Sequence, residues 1–182
     1  GLGNPVTGVL LGFRALDSLT EGLILVMVLV ALWSLTPDPD WGGRPRLPHL
    51  PGPAPGLRRL ARILLPGGLL LGLYLAWTGN YHPGGPFQGG AVLAAMWLLA
   101  MIVGLTRPPA ASSRALRWLL ITGPLVFILV GFASNWLDMG FLAAPEGWAR
   151  YSLLTIKVSL TLSIAIALGL LLASPTASAS ER

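Results

Sequence analysis

The chain has 182 residues, 54% of them hydrophobic and only 10% charged, with a mean hydropathy of +0.72. A water-soluble domain carries about a quarter charged residues, so this chain has too little polar surface for water, and lipid must be part of its solvent. The absence of cysteine excludes disulfides, thiolate metal sites, iron–sulfur ligation and cysteine nucleophiles, and the net charge of +5 resides in loops between apolar spans, which excludes a nucleic-acid-binding reading.

The pattern predicts an all-α, polytopic membrane protein with five transmembrane helices. The first runs from Leu16 to Leu35. Arg14 is followed closely by Asp17 and Glu21, which spoils the basic start of a signal peptide, so this helix is expected to be retained. The span 37–57 reads as a linker. Its prolines, Pro37, Pro39, Pro45, Pro48, Pro51, Pro53 and Pro55, forbid a helix and favour polyproline II. It is either a strap over neighbouring subunits or a plain spacer. Four more helices follow: Leu60 to Thr78, Phe87 to Leu105, Ala115 to Trp136 and Tyr151 to Ala173. Each is close to the roughly 20 residues that cross a hydrocarbon core. The organisation is therefore a first helix in 1–36, the linker 37–57, a four-helix membrane domain 58–173 and a small polar tail 174–182, expected to be disordered.

Loop charge gives the expected orientation. Arg44, Arg46, Arg58, Arg59 and Arg62 follow the first helix, and Arg107, Arg114 and Arg117 follow the third. The loop after the second helix has no Lys or Arg, and the one after the fourth has only Arg150. Basic residues stay on the cytoplasmic side, so the N-terminus lies outside, the C-terminus inside, and the host bilayer is the cell's inner (cytoplasmic) membrane. Trp33, Trp77, Trp118, Trp136 and Trp148 fall near helix ends, as an aromatic belt requires, whereas Trp97 is mid-helix and is expected to pack against protein.

Two places put ionisable groups inside the membrane. The uncharged stretch from Gly22 to Leu35 rises only about 21 Å at 1.5 Å per residue, so the first helix must draw in another turn, which places Glu21 at the membrane edge. Arg14, Asp17 and Glu21 share one helical face. Lys157, two turns into the last helix, is expected at similar depth. It has three readings: snorkelling of its stem to the interface, a structural ion pair with Glu21, or a proton or cation relay. Between the second and third helices lies Thr78-Gly79-Asn80-Tyr81-His82-Pro83-Gly84-Gly85-Pro86-Phe87-Gln88-Gly89-Gly90, a run that lets backbones approach closely and peptide groups face a cavity. His82 is either a relay or a solvated loop histidine, and Asp138 and Glu146 read as solvated. Gly123-Pro124 should kink the fourth helix for packing. No nucleophile elbow, Walker motif or zinc-protease motif is present, and two histidines are too few for a haem, so neither an enzymatic reaction nor a cofactor or metal is expected of this chain.

The run from Thr78 to Gly90, followed by Ala91-Val92-Leu93-Ala94-Ala95, resembles the motif of the MnhB-domain family, the B subunit of Mrp-type multisubunit cation/proton antiporters, a domain that recurs in energy-converting hydrogenases. Pro86 stands where that motif usually has Gly. Asn4-Pro5-Val6-Thr7, followed by Phe13-Arg14, Asp17 and Glu21, is similar to a segment that precedes the domain in these systems, carried elsewhere by a separate small subunit or by the end of the large A subunit. The resemblance implies a small subunit of a sodium (or other cation)/proton antiporter, one that helps form the ion path and assemble a complex-I-like module. Its partners would be other membrane subunits of an Mrp-like or hydrogenase-like complex within the lipid bilayer. The positions it carries over are Asp17 and Glu21 in the first segment and Pro83, Gly84, Gly85, Phe87, Gln88, Gly89 and Gly90 in the second. Where the family's last helix usually has a Phe-Asp-x-Gly-Val-like run, this chain has Leu154-Thr155-Ile156-Lys157-Val158, so the identity of the cation is not carried over. The alternative is a structural membrane subunit of a redox-coupled complex, such as an energy-converting membrane hydrogenase.

Overall fold

The computed structural model describes residues 15–35, 55–79, 84–110, 113–136 and 148–173. These form five α-helices: α1 (Ala15–Ser34), α2 (Pro55–Thr78), α3 (Pro86–Ile102), α4 (Arg114–Trp136) and α5 (Ala149–Ala173). No strand occurs among the described residues. α2, α4 and α5 are long and apolar enough to cross a membrane, whereas α3 and the apolar part of α1, Leu19–Ser34, are shorter. The chain is thus an all-helical, multi-pass membrane protein. His82, Pro83, Asp138, Glu146, the run from Asn4 to Arg14, the tail and nearly all of the linker lie outside the described residues.

The helix starts differ from expectation where proline is involved. Pro55 opens α2 rather than forbidding a helix, inside the span read as linker. Pro86 likewise opens α3, directly after the N-cap Gly85. The physical reason is the same in both. The first turn of a helix has no intrahelical acceptor for its N–H groups, so a residue without N–H loses nothing there, and its fixed φ already suits the helix. At the far end α3 stops three residues before the expected Leu105. Gly104 takes a left-handed φ of 73°, and the amides of Leu105 and Gly104 donate back to the carbonyls of Ala100 (2.9 Å) and Met101 (3.1 Å). That double return satisfies carbonyls the helix end leaves open and turns the chain away.

The packing centres on α5. Across its most apolar 18 residues 72% are buried, against 33% for α4 and 11% for α2. α1, α3 and α4 each pack on α5, and α2 packs chiefly on α3. One core cluster joins Phe127 of α4 to Ile156, Leu160 and Ile164 of α5, with Leu19 and Leu25 of α1 against it. The other joins Leu29 of α1, Leu116 and Leu120 of α4, and Ile166, Ala167 and Leu170 of α5. Lipid tails are as apolar as these side chains, so close van der Waals fit must hold the helices together, and small residues mark the contacts. A Cβ on Gly72 of α2 would stand 2.9 Å from the Leu93 side chain of α3, and one on Gly89 of α3 would stand 2.7 Å from the carbonyl of Gly72. These contacts lock α2 against α3 as an antiparallel pair.

Candidate functional site

Adjacent glycines give α3 its two neighbours. Successive residues on a helix point about 100° apart, so Gly89 meets α2 while Gly90 meets α5. A Cβ on Gly90 would lie 2.8 Å from Ile164 Cγ2 and 3.0 Å from the Thr161 carbonyl. Farther along, Trp97 of α3 covers Gly169 of α5. Trp97 therefore packs against protein, as its mid-helix position predicts. Both contacts advance together along the two helices, so α3 and α5 run parallel. At the start of α3, Gly84 adopts a φ of 150°, and a Cβ there would stand 2.7 Å from the carbonyl of Leu75. Only glycine fits that turn on both counts. Gly79 and Gly85 meet one another across it, the Gln88 side chain reaches back over Gly85, and Phe87 and Gln88 are exposed.

Lys157 belongs to this end of the bundle. It shares the face of α5 that carries Thr161 and Ile164, one turn before the Gly90 contact, which sets it level with the first turn of α3. It is only 3% exposed. The side chain therefore lies within the bundle rather than on its outer surface. On the other flank α1 runs parallel to α5, with Gly22 in ordinary van der Waals reach of Leu160 (3.5 Å) and of Pro124 in α4 (3.7 Å). That register brings Glu21, which is exposed, to within about a turn of the level of Lys157. Asp17 falls in the first turn of α1. Asp17 and Glu21 are the only acidic residues in the five helices, and Lys157 is the only lysine in the chain. This same end gathers the starts of α1, α3 and α5. The first turn of a helix carries partial positive charge that adds to the lysine, so the local field favours carboxylates. No group of three or more His, Asp or Glu that could hold a metal occurs among the described residues.

Sequence reading passed over three hydroxyls within two turns of Lys157, on two faces of α5. Ser159, Thr161 and Ser163 are all buried. Ser159 donates to the carbonyl of Ile156 (2.9 Å) and Thr161 to that of Lys157 (2.8 Å), so each hands its proton back to its own helix and presents lone pairs. Ser163 does otherwise: its Oγ donates across to the carbonyl of Leu120 in α4. The cause is Pro124. Its ring removes the N–H that Leu120's carbonyl would accept four residues back, and Ser163 replaces the missing donor. Gly123 permits the approach, since a Cβ there would stand 2.7 Å from that of Ser163. Gly123-Pro124 thus serves packing, as expected. Alternate polar residues at 159, 161 and 163 within an apolar span were the visible signal for these hydroxyls.

Residues 56–177, which take in α2 to α5 and leave α1 outside, match the family described as the domain related to the MnhB subunit of Na+/H+ antiporter. An uncharacterized protein of Methanocaldococcus jannaschii is 28% identical over 155 residues, covering 72% of this chain, and the chain spans 56% of that relative's length. A solved structure with a similar fold is that of the membrane-bound sulfane sulfur reductase, an archaeal respiratory membrane complex. Its matching chain superposes with a TM-score of 0.66 at 23% identity, over 90% of this chain and 76% of that one.

Proposed function

The chain belongs to the family of domains related to the MnhB subunit of Na+/H+ antiporters, and from that premise we propose that it is a small subunit of a multisubunit cation/proton antiporter in the inner (cytoplasmic) membrane. In this reading α1, whose first turns end the segment that resembles a neighbouring subunit, brings Asp17 and Glu21 toward the level of Lys157 to help line an ion path shared with larger complex-I-like subunits. The arginine-bearing ends of α2 and α4 face the cytoplasm. The observation that carries the proposal is the burial of Lys157 level with the first turn of α3. A charge held inside a membrane bundle is expensive, by about 2.5–3.5 kcal/mol at mid-helix on insertion scales, and such groups commonly mark ion or proton pathways.

The test is transport by the assembled complex in sealed vesicles. Lys157→Met and Glu21→Gln should each reduce cation/proton exchange by about tenfold, equivalent to ~1.4 kcal/mol, while the complex is recovered at its usual yield. Normal exchange in both variants would sink the ion-path role. A second reading, a structural subunit of a redox-coupled membrane complex, draws support from the fold shared with a chain of the sulfane sulfur reductase. Gentle detergent extraction followed by mass spectrometry separates the two. Antiporter-type subunits without cluster-bearing proteins favour the first, and hydrogenase-like or other redox subunits favour the second.

A further inference from the structure

α2 concentrates positive charge at one end. Arg58, Arg59 and Arg62 occupy its first two turns, and all are exposed. Arg58 and Arg62 share a face, with Cβ atoms about 6 Å apart. Arg107, also exposed, follows the left-handed turn at Gly104 that ends α3. The Gly68–Met96 and Gly72–Leu93 approaches make α2 and α3 antiparallel, so the end of α3 lies beside the start of α2. All four arginines therefore belong to the same end. No Asp or Glu occurs in α2 or in residues 84–110. Like charges one turn apart on a helix repel, and an anion between them removes that repulsion.

The exposed face beyond these arginines is ordered as a bilayer is. Away from Gly68 and Gly72, helical spacing puts Arg59, Ile63, Leu70, Tyr74 and Trp77 on one stripe. The order is cation, aliphatic, aromatic, and every member is exposed. Arg59 and Trp77 are about 27 Å apart at 1.5 Å per residue, close to the ~30 Å of a hydrocarbon core. Leu69 and Leu73 continue the Arg58–Arg62 face and are also exposed. Helices in membranes approach through small residues, and α2 meets α3 through Gly68 and Gly72. From Arg62 to Leu73 the arginine face has no glycine, alanine or serine. Acyl chains need no such fit.

We infer that this end of α2 and α3 binds an anionic phospholipid. Its phosphodiester lies between Arg58 and Arg62, with Arg59 and Arg107 beside it, and its acyl chains run along Leu69 and Leu73. Guanidinium forks match phosphate oxygens in pairs, and basic clusters at the end of a membrane helix attract anionic headgroups. A zwitterionic lipid brings a cation of its own to the cluster. Two copies of one chain insert the same way round, so α2 against α2 would set arginine against arginine, which disfavours a self-pair. The site is built from α2 and α3 alone and is the same in an antiporter or in a redox-coupled complex.

Native mass spectrometry of the full chain in dodecyl maltoside tests it, with phosphatidylglycerol and phosphatidylcholine of the same acyl chains as probes. Phosphatidylglycerol should bind about tenfold tighter. Arg58→Gln with Arg62→Gln should weaken its binding about tenfold. Arg114→Gln with Arg150→Gln removes the same charge from exposed positions elsewhere and should weaken it less than about twofold. Equal binding of the two lipids, or equal losses in the two double variants, overturns the inference. Binding in detergent does not depend on which way round a variant inserts. A photoreactive benzoylphenylalanine in place of Leu69, irradiated in native membranes, identifies the occupant. Adducts with phospholipid are expected. Adducts solely with another polypeptide, with a second copy, or with residues 36–54 of the same chain overturn it.

Discussion

α2 and α5 are alike on paper and opposite in the bundle. They have 24 and 25 residues, and both are apolar enough to span a bilayer. Yet α5 is covered by three helices, and α2 leans on one. The richer hydroxyl content belongs to the covered helix. Ser159, Thr161, Ser163 and Lys157 sit inside, while the outer side of α2 shows Ile63, Leu70 and Leu73. The lesson is that in a membrane the apolar residue needs no shelter and the polar one does. Polarity inside an otherwise apolar span therefore marks the centre of the bundle, the reverse of the rule in water.

That contrast can be broken by substitution, most sharply at the α3–α5 contact. Gly90→Leu pushes side-chain atoms into Ile164 and the Thr161 backbone, so it should cost about 3 kcal/mol, the upper end of overpacking effects. A drop in the unfolding midpoint in detergent, with less protein in the membrane, is the readout. A stable Gly90→Leu chain would mean that α5 is not the centre.

A finer probe asks whether Ser163 really replaces the donor lost at Pro124. Ser163→Ala should cost about 1 kcal/mol, in line with hydrogen bonds between membrane helices. In a Pro124→Ala background the alanine N–H can reach Leu120 itself, so the Ser163→Ala cost should shrink toward zero. A double-mutant cycle in the same unfolding assay measures that coupling. Additive effects would disprove the replacement.

The smallest effect is expected on α2. Leu70→Ala on its open face should change the stability of the isolated chain by less than about 0.5 kcal/mol. A larger loss would show that α2 is covered within the chain after all.

The amino-acid sequence by itself determined the solvent and the elements. A chain with 10% charge and long apolar runs can satisfy its backbone in lipid only as helices, and all five helices fall close to where the runs predicted them. It also placed the special residues, because a lone lysine and two acids stand out in apolar spans and a dense run of Gly and Pro stands out between them. Local pattern misjudged Pro55, since whether a proline breaks or begins a helix depends on which side the helix lies. Tertiary structure alone decided that Gly89 and Gly90 serve different neighbours, that Lys157 turns inward beside the start of α3, and that Ser163 answers Pro124 from 39 positions away in sequence. Those outcomes depend on how whole helices are rotated and set in register against one another, and an apolar residue suits a lipid-facing and a helix-facing side alike, so hydropathy does not fix them.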